Sequence, residues 1–343
     1  MSADTSAPIE RPTAREMPGQ TTKHAAWISV VVTGLVIGTV FISLFVGLQR
    51  APVPSHLPLA VTGTTLAAAA RDALGDRADV SAVDSEAEGL ASVRRGDTVA
   101  SLSVSDGSLH VAYAGARGLS ESSAARALAT GLAESSGLEV SEDDVVPLSP
   151  FDSKGLVSFY VTFGVALASF ILGQGLTGAA GRVRLRHRLL VTAAFAVVIG
   201  SVAATVVGTM YDALPAPWPL LAVTLVLLSA ACALTTEALG AWLGAAGIGI
   251  AVLLLTTTGN ALSSATIGQD LLPSWAQFLS PALPAGAAVR AVTDFGYFAP
   301  SDALTSLLVL VGWAAVGLAL ITVKASRTRR RAVAHTPAHV AGS

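Results

Sequence analysis

The sequence predicts an α-helical integral membrane protein: six spanning helices in a one-plus-five arrangement, with a small α/β domain between the first and second. Three observations predict it. Hydrophobic residues fill 52% of the 343 positions and charged ones only 13%, against about 25% charged in an ordinary soluble domain. Fifteen of the 23 acidic residues lie between Arg50 and Lys154, so the rest of the chain is nearly free of negative charge, as a hydrocarbon solvent demands. Uncharged apolar runs close to the ~20 residues needed to cross a bilayer recur outside that region.

The chain opens with a polar leader, residues 1–24, carrying Arg11, Arg15 and Lys23. The first span, 25–48, is uncharged throughout and exceeds the ~7–15 apolar residues of a signal peptide. No small-x-small cleavage site follows it at Leu48-Gln49-Arg50-Ala51, so a retained anchor is expected. Five further spans are expected at 155–176, 189–210, 218–236, 242–258 and 303–323, with a tight turn at 237–241 and Glu237 as an interfacial turn residue. A basic tail, 324–343, closes the chain.

Orientation follows from lysine and arginine near the span ends. Arg182, Arg184, Arg186 and Arg188 crowd the link between the second and third spans, and Lys324, Arg327, Arg329, Arg330 and Arg331 follow the sixth. Six spans place the leader, this link and the tail together in the cytoplasm. The outward link 211–217 then has no basic residue. Both termini are expected in the cytoplasm. The tail arginines also suit anionic lipid headgroups. A nucleic-acid partner is not expected, because the basic clusters flank apolar runs rather than forming a basic domain.

Residues 49–154 are expected to fold as an extracytoplasmic α/β domain. Strands are read at 57–61, 98–104, 109–113 and 138–146, and helices at 66–74 and 120–134, the second capped by Ser120. Ser105-Asp106-Gly107-Ser108 reads as a hairpin turn. The run Glu142-Asp143-Asp144 reads as a solvated acidic loop. His56 and His110 stand far apart, and no metalloprotease, nucleophile-elbow or phosphate-loop motif occurs. Cys232 is the lone cysteine and permits no intrachain disulfide. No catalytic, cofactor or metal site is expected.

Residues 260–300 are too polar and proline-rich for a plain span. They read as one or two short helices re-entering the outer leaflet, a broken backbone tolerated only where protein or a wet cavity covers it. Trp275, Phe278, Tyr297 and Phe298 suit the headgroup level.

Here the sequence resembles a known family. Gly259, Asn260, Ser263, Leu272, Pro273, Trp275, Leu279, Leu283, Pro284, Gly286, Ala287, Ala288, Val289, Tyr297 and Phe298 form a pattern similar to the end of type-2 ABC exporter permeases, in particular their phage-infection-protein relatives of high-GC Gram-positive bacteria. His56-Leu57-Pro58-Leu59-Ala60-Val61 and Asp144-Val145-Val146-Pro147-Leu148, with Asp152 and Gly155, agree as well. The family's proline after the Gly-Asn pair is Ala261 here. The resemblance implies a homodimeric or heterodimeric membrane subunit working with a separate ATP-binding subunit. It further implies a coupling loop at Arg182, Arg184, Arg186 and Arg188, and an outer gate at Asn260, Pro273, Trp275, Pro284, Gly286, Tyr297 and Phe298. Few ionisable residues lie within the spans, which argues for energy supplied from outside the chain rather than ion coupling. The same branch contains receptors and secretion accessories, so a non-transporting scaffold or receptor is the alternative expectation.

Overall fold

A computed structural model describes residues 21–50, 52–299 and 303–334. The leader's Arg11 and Arg15, the side chains of Arg329 and Arg331, and residues 335–343 lie outside the described residues. Five helices are long and apolar enough to cross a membrane, and the chain is a multi-pass α-helical membrane protein carrying one small sheet.

The sheet domain begins after α1 (Thr21–Gln49). Its strands are β1 (Leu57–Thr62), β2 (Ala78–Val83), β3 (Ala100–Ser105), β4 (Ser108–Tyr113) and β5 (Glu139–Asp144), in the order β2-β1-β3-β4-β5. β1 runs parallel to both its neighbours, β3 and β4 form an antiparallel hairpin, and β5 lies parallel to β4. Leu57, Leu59, Ala60 and Val61 of β1 are all fully buried, the continuous apolar run of a strand covered on both faces. At the hairpin, Asp106 and Gly107 take φ of 51° and 76°, the two positive values that a two-residue type I′ turn requires.

Helix α2 (Thr64–Leu74) and helix α4 (Leu119–Ser136) cover one face. Their Ala67, Ala70, Leu74, Ala125, Leu128, Ala129, Leu132 and Ala133 share a core with β1, β3 and β4. Helix α3 (Glu86–Arg95) lies over the other face, where Gly89 abuts Ser101 so closely that a Cβ would collide with the hydroxyl.

β2 and α3 go beyond the sequence reading. The signal for α3 was present: Ser85 accepts a bond from the Glu88 amide at 3.2 Å, Glu88 accepts one from the Asp84 amide at 3.0 Å, and Gly96 ends the helix in the left-handed region. That is a serine-x-x-glutamate start with a glycine stop. β2 is a short edge strand with half its residues exposed, and its burial alternates only over Ala78–Ser81.

Two expectations in this domain are corrected. Ser120 does not cap α4; Gly118 precedes the helix, and the Ser120 hydroxyl donates instead to the Thr266 carbonyl at 3.3 Å. The run Glu142-Asp143-Asp144 is no loop but the end of edge strand β5. Its charges discourage further strand pairing, Glu142 pairs with Arg126, and Asp144 accepts from the Gly115 amide at 2.9 Å.

The helical bundle is built around one helix. Helices α5 (Val157–Gly178), α6 (Leu185–Met210) and α7 (Trp218–Leu243) follow in order, then α8 (Ala245–Ala261). Two short pieces come next, α9 (Ser274–Leu279) and α10 (Pro284–Tyr297), and the chain ends on α11 (Ala303–Ala334). The most apolar stretch of α7 is 67% buried, against 22% for α6 and α11 and none for α1.

Three of its neighbours approach α7 through a glycine. A Cβ on Gly173 of α5 would lie 2.5 Å from the Ala233 carbonyl, one on Gly200 of α6 would lie 2.6 Å from the Val226 amide, and one on Gly317 of α11 would meet Leu234 at 2.8 Å. Between helices that share an apolar solvent, association rests on such close packing and on hydroxyl bonds. Ser169 of α5 bonds Ser229 of α7 at 2.7 Å.

The membrane region departs from expectation in four places. The turn after α7 lies at Gly244, not at 237–241. Nothing in the Ala-Leu-Gly-Ala-Trp run stops a helix, whereas Gly244 adopts φ 61°, ψ −136°, a conformation essentially confined to glycine. Glu237 is therefore a fully buried mid-helix residue. Helix α8 has only 17 residues, partly in widened turns over Val252–Thr258, about 25 Å at 1.5 Å per residue and short of a ~30 Å hydrocarbon core. Lastly, the helix of the last span continues past 323 to Ala334.

Candidate functional site

The broken segment and the α/β domain meet at one end of the bundle, and their junction holds two of the four charged residues buried among the described residues, Glu121 and Asp152. Helix α10 forms the base. Pro284 supplies a fixed φ at its first turn, and Gly286 sits directly against the Ser280 carbonyl, where no side chain fits. Ala285, Ala287, Ala288, Val289, Ala291 and Val292 bury its inner face against the bundle. Arg290 and Asp294 lie on the side facing the α/β domain, around a polar cavity of about 320 Å³ shared with Arg95, Arg117, Glu121 and Asp270.

Glu121 is the centre of the junction. It projects from the first turn of α4 and is 2% exposed. Its Oε1 accepts a bond from the Asp270 amide at 3.1 Å, so a carboxylate of the α/β domain grips the backbone of the broken segment. Gly268, at φ 87°, lies flush against the Glu121 side chain and leaves no room for a Cβ. Burial pushes the Glu121 carboxyl up to about 7; the nearby Asp270 carboxylate adds to this, while the Arg117 guanidinium and the amides of Asp270 and Gln269 act the other way. Asp270 is also raised by burial, against the pull of Arg117 and Arg290.

Further bonds clamp the same surfaces. Arg117 donates to the Gly96 carbonyl and lies 5.3 Å over the Phe298 ring. The Ser55 amide donates to the Asp270 carbonyl at 3.0 Å, and the Ser149 amide to the Tyr297 hydroxyl at 3.1 Å. Asp152, behind this contact, caps the start of α5 by accepting from the Leu156 and Val157 amides at 2.9 and 3.2 Å. The junction holds several ion–dipole contacts, and burial favours the protonated form of Glu121 within it. Among the described residues, no group of three or more His, Cys, Asp or Glu side chains could hold a metal ion.

The seven expected gate residues do not form one lining. Trp275 and Phe278 are exposed, 51% and 80%, as headgroup-level aromatics would be. Tyr297 and Phe298 instead face protein and fasten the α/β domain. Asn260 is buried in the bundle, its Nδ2 donating to the Thr256 carbonyl at 2.9 Å. Pro273 and Pro284 start short helices, and Phe298 alone of the seven lines the polar cavity. Glu121 and Arg117 escaped the sequence reading because nothing local marks them; they face across about 150 residues of chain.

At the opposite end of the bundle, the four expected coupling arginines separate into two kinds. Arg188 is 7% exposed and forms an ion pair with fully buried Glu237. Arg182, Arg184 and Arg186 are exposed around the start of α6 and line a groove of about 1010 Å³ with Lys324 of α11. Compared with family models, curated proteins and solved structures, the chain matches none.

Proposed function

We propose that the chain is the membrane subunit of an ATP-driven exporter in a bacterial plasma membrane, moving a hydrophobic or amphipathic molecule outward, as its resemblance to type-2 ABC permeases implies. Six crossings, with α8 as the fifth despite its length, both termini cytoplasmic and the α/β domain outside, complete the reading. One observation carries it: α7 connects the two ends. It holds Glu237 beside the arginine link, and α10 packs along it and ends in the Tyr297 and Phe298 contacts with the α/β domain. A push on the link by a partner would be passed along a packed helix to the outer junction.

The test is whether a neighbouring gene encodes a Walker-motif ATPase, and co-expression with that ATPase. The reading expects a stable complex whose ATP hydrolysis responds to this chain and whose export activity fails without it. A deletion strain with undiminished export, and no associating ATPase, would overturn it. The second reading, a non-transporting scaffold or receptor that presents the α/β domain, draws on the firmness of that domain's docking and expects that second outcome.

A further inference from the structure

The groove at the arginine end lies between the α5–α6 link and the side of α11. Its rim carries Arg182, Arg184, Arg186 and Lys324, its floor is apolar, with Val183 and Ile321, and no carboxylate lines it. Two features make this an unbalanced site. None of Arg182, Arg184, Arg186 and Lys324 forms an ion pair among the described residues, and Lys324 lies 5.1 Å over the Trp242 ring.

The three arginines also crowd the start of α6, whose first turn has no acidic residue. A helix N-terminus already carries about half a positive charge, so cations there repel it and one another. Arg188, the fourth, is neutralised by Glu237; the others have no acidic partner among the described residues. Setting topology requires positive charge near the span but neither a groove nor an apolar floor.

We propose that this groove binds the headgroup of an anionic phospholipid, its phosphate among Arg182, Arg184 and Arg186 and the start of its chains against Val183 and Ile321. The ligand class follows from the pairing of unopposed cations with an apolar floor at the end of two apolar helices, α6 and α11, where a bilayer's phosphates lie. A free anion would have no use for the floor. The assignment is independent of any ATPase, and its failure leaves the exporter reading untouched.

The full chain, purified in a neutral detergent, would be titrated with phosphatidylglycerol and with phosphatidylcholine of the same acyl chains, bound lipid being counted by native mass spectrometry. Phosphatidylglycerol is expected to bind at least tenfold better, and R182Q/R184Q/R186Q to weaken it roughly 100-fold, about fivefold for each charge at a lipid surface. R182K/R184K/R186K should keep the preference. If the glutamine triple variant does not fold, R184Q alone should show the fivefold loss with an unchanged Tm. Equal binding of the two lipids, or undiminished binding by these glutamine variants, would overturn the proposal. Displacement of the lipid by excess inorganic phosphate would assign the groove to a free anion and overturn it too. So would a lack of lipid preference combined with arginine-dependent capture of a soluble ATPase subunit, which would make the groove a protein contact.

Discussion

Replacing Glu121 by glutamine should abolish a pH dependence that the junction builds into the protein. The folded carboxyl titrates near 7 rather than at the ordinary 4.5. Below about pH 4.5 the group is protonated whether the chain is folded or not, and it contributes no difference. Between 4.5 and 7 the folded protein keeps a proton that the unfolded chain releases, so stability falls as pH rises. Above 7 the loss is complete: 2.5 pH units at ~1.4 kcal/mol each is about 3 kcal/mol. Glutamine keeps a carbonyl to accept the Asp270 amide and cannot ionise; the backbone bonds to the charged carboxylate are already contained in its shift. The variant should therefore be close to wild type at pH 5 and more stable than it at pH 8 by about 3 kcal/mol. Thermal unfolding of the detergent-solubilised full chain from pH 5 to 8.5 measures the difference, and hydrogen exchange of the Gln269 and Asp270 amides locates it. A wild-type-minus-variant difference that stays flat across that range would refute the reasoning.

The remaining predictions concern packing and pairing. Arg188→Met should destabilise the bundle by about 3–5 kcal/mol by stranding the Glu237 charge, and the double variant R188M/E237L should recover most of it; Tm in detergent reads both. Gly200→Leu should cost about 1–3 kcal/mol or more, because α6 cannot retreat from the Val226 backbone without losing its packing on α7; yield of monodisperse protein and Tm check it. Ser85→Ala should cost about 1 kcal/mol through the lost cap of α3, measured by hydrogen exchange over 86–95. Tyr297→Phe should loosen the junction by about 1 kcal/mol by removing the acceptor of the Ser149 amide; faster exchange at Ser149 with an unchanged core would show it.

Legibility followed the range of the interactions. Strand β1, the Asp106-Gly107 hairpin and most span positions are written locally, as apolar runs and turn chemistry, and the structure places them within a few residues of expectation. The capping signature of α3 was equally local and equally readable. The turn at Gly244 was not, because the apolar count falls at 237–241, yet Gly240 within that run stays helical and it is Gly244 that takes the positive φ. Tyr297 and Phe298 carry the composition of interfacial aromatics, yet face Ser149 and Arg117 because another domain docks there.

Lipid as solvent was decided by the sequence alone, since the hydrophobic effect counts apolar residues and is indifferent to their partners. The pairing of charges belonged to the tertiary structure. Glu121 meets the Asp270 backbone across 149 positions and Arg188 meets Glu237 across 49. Such contacts depend on where two surfaces come to rest, and no window of sequence contains both partners.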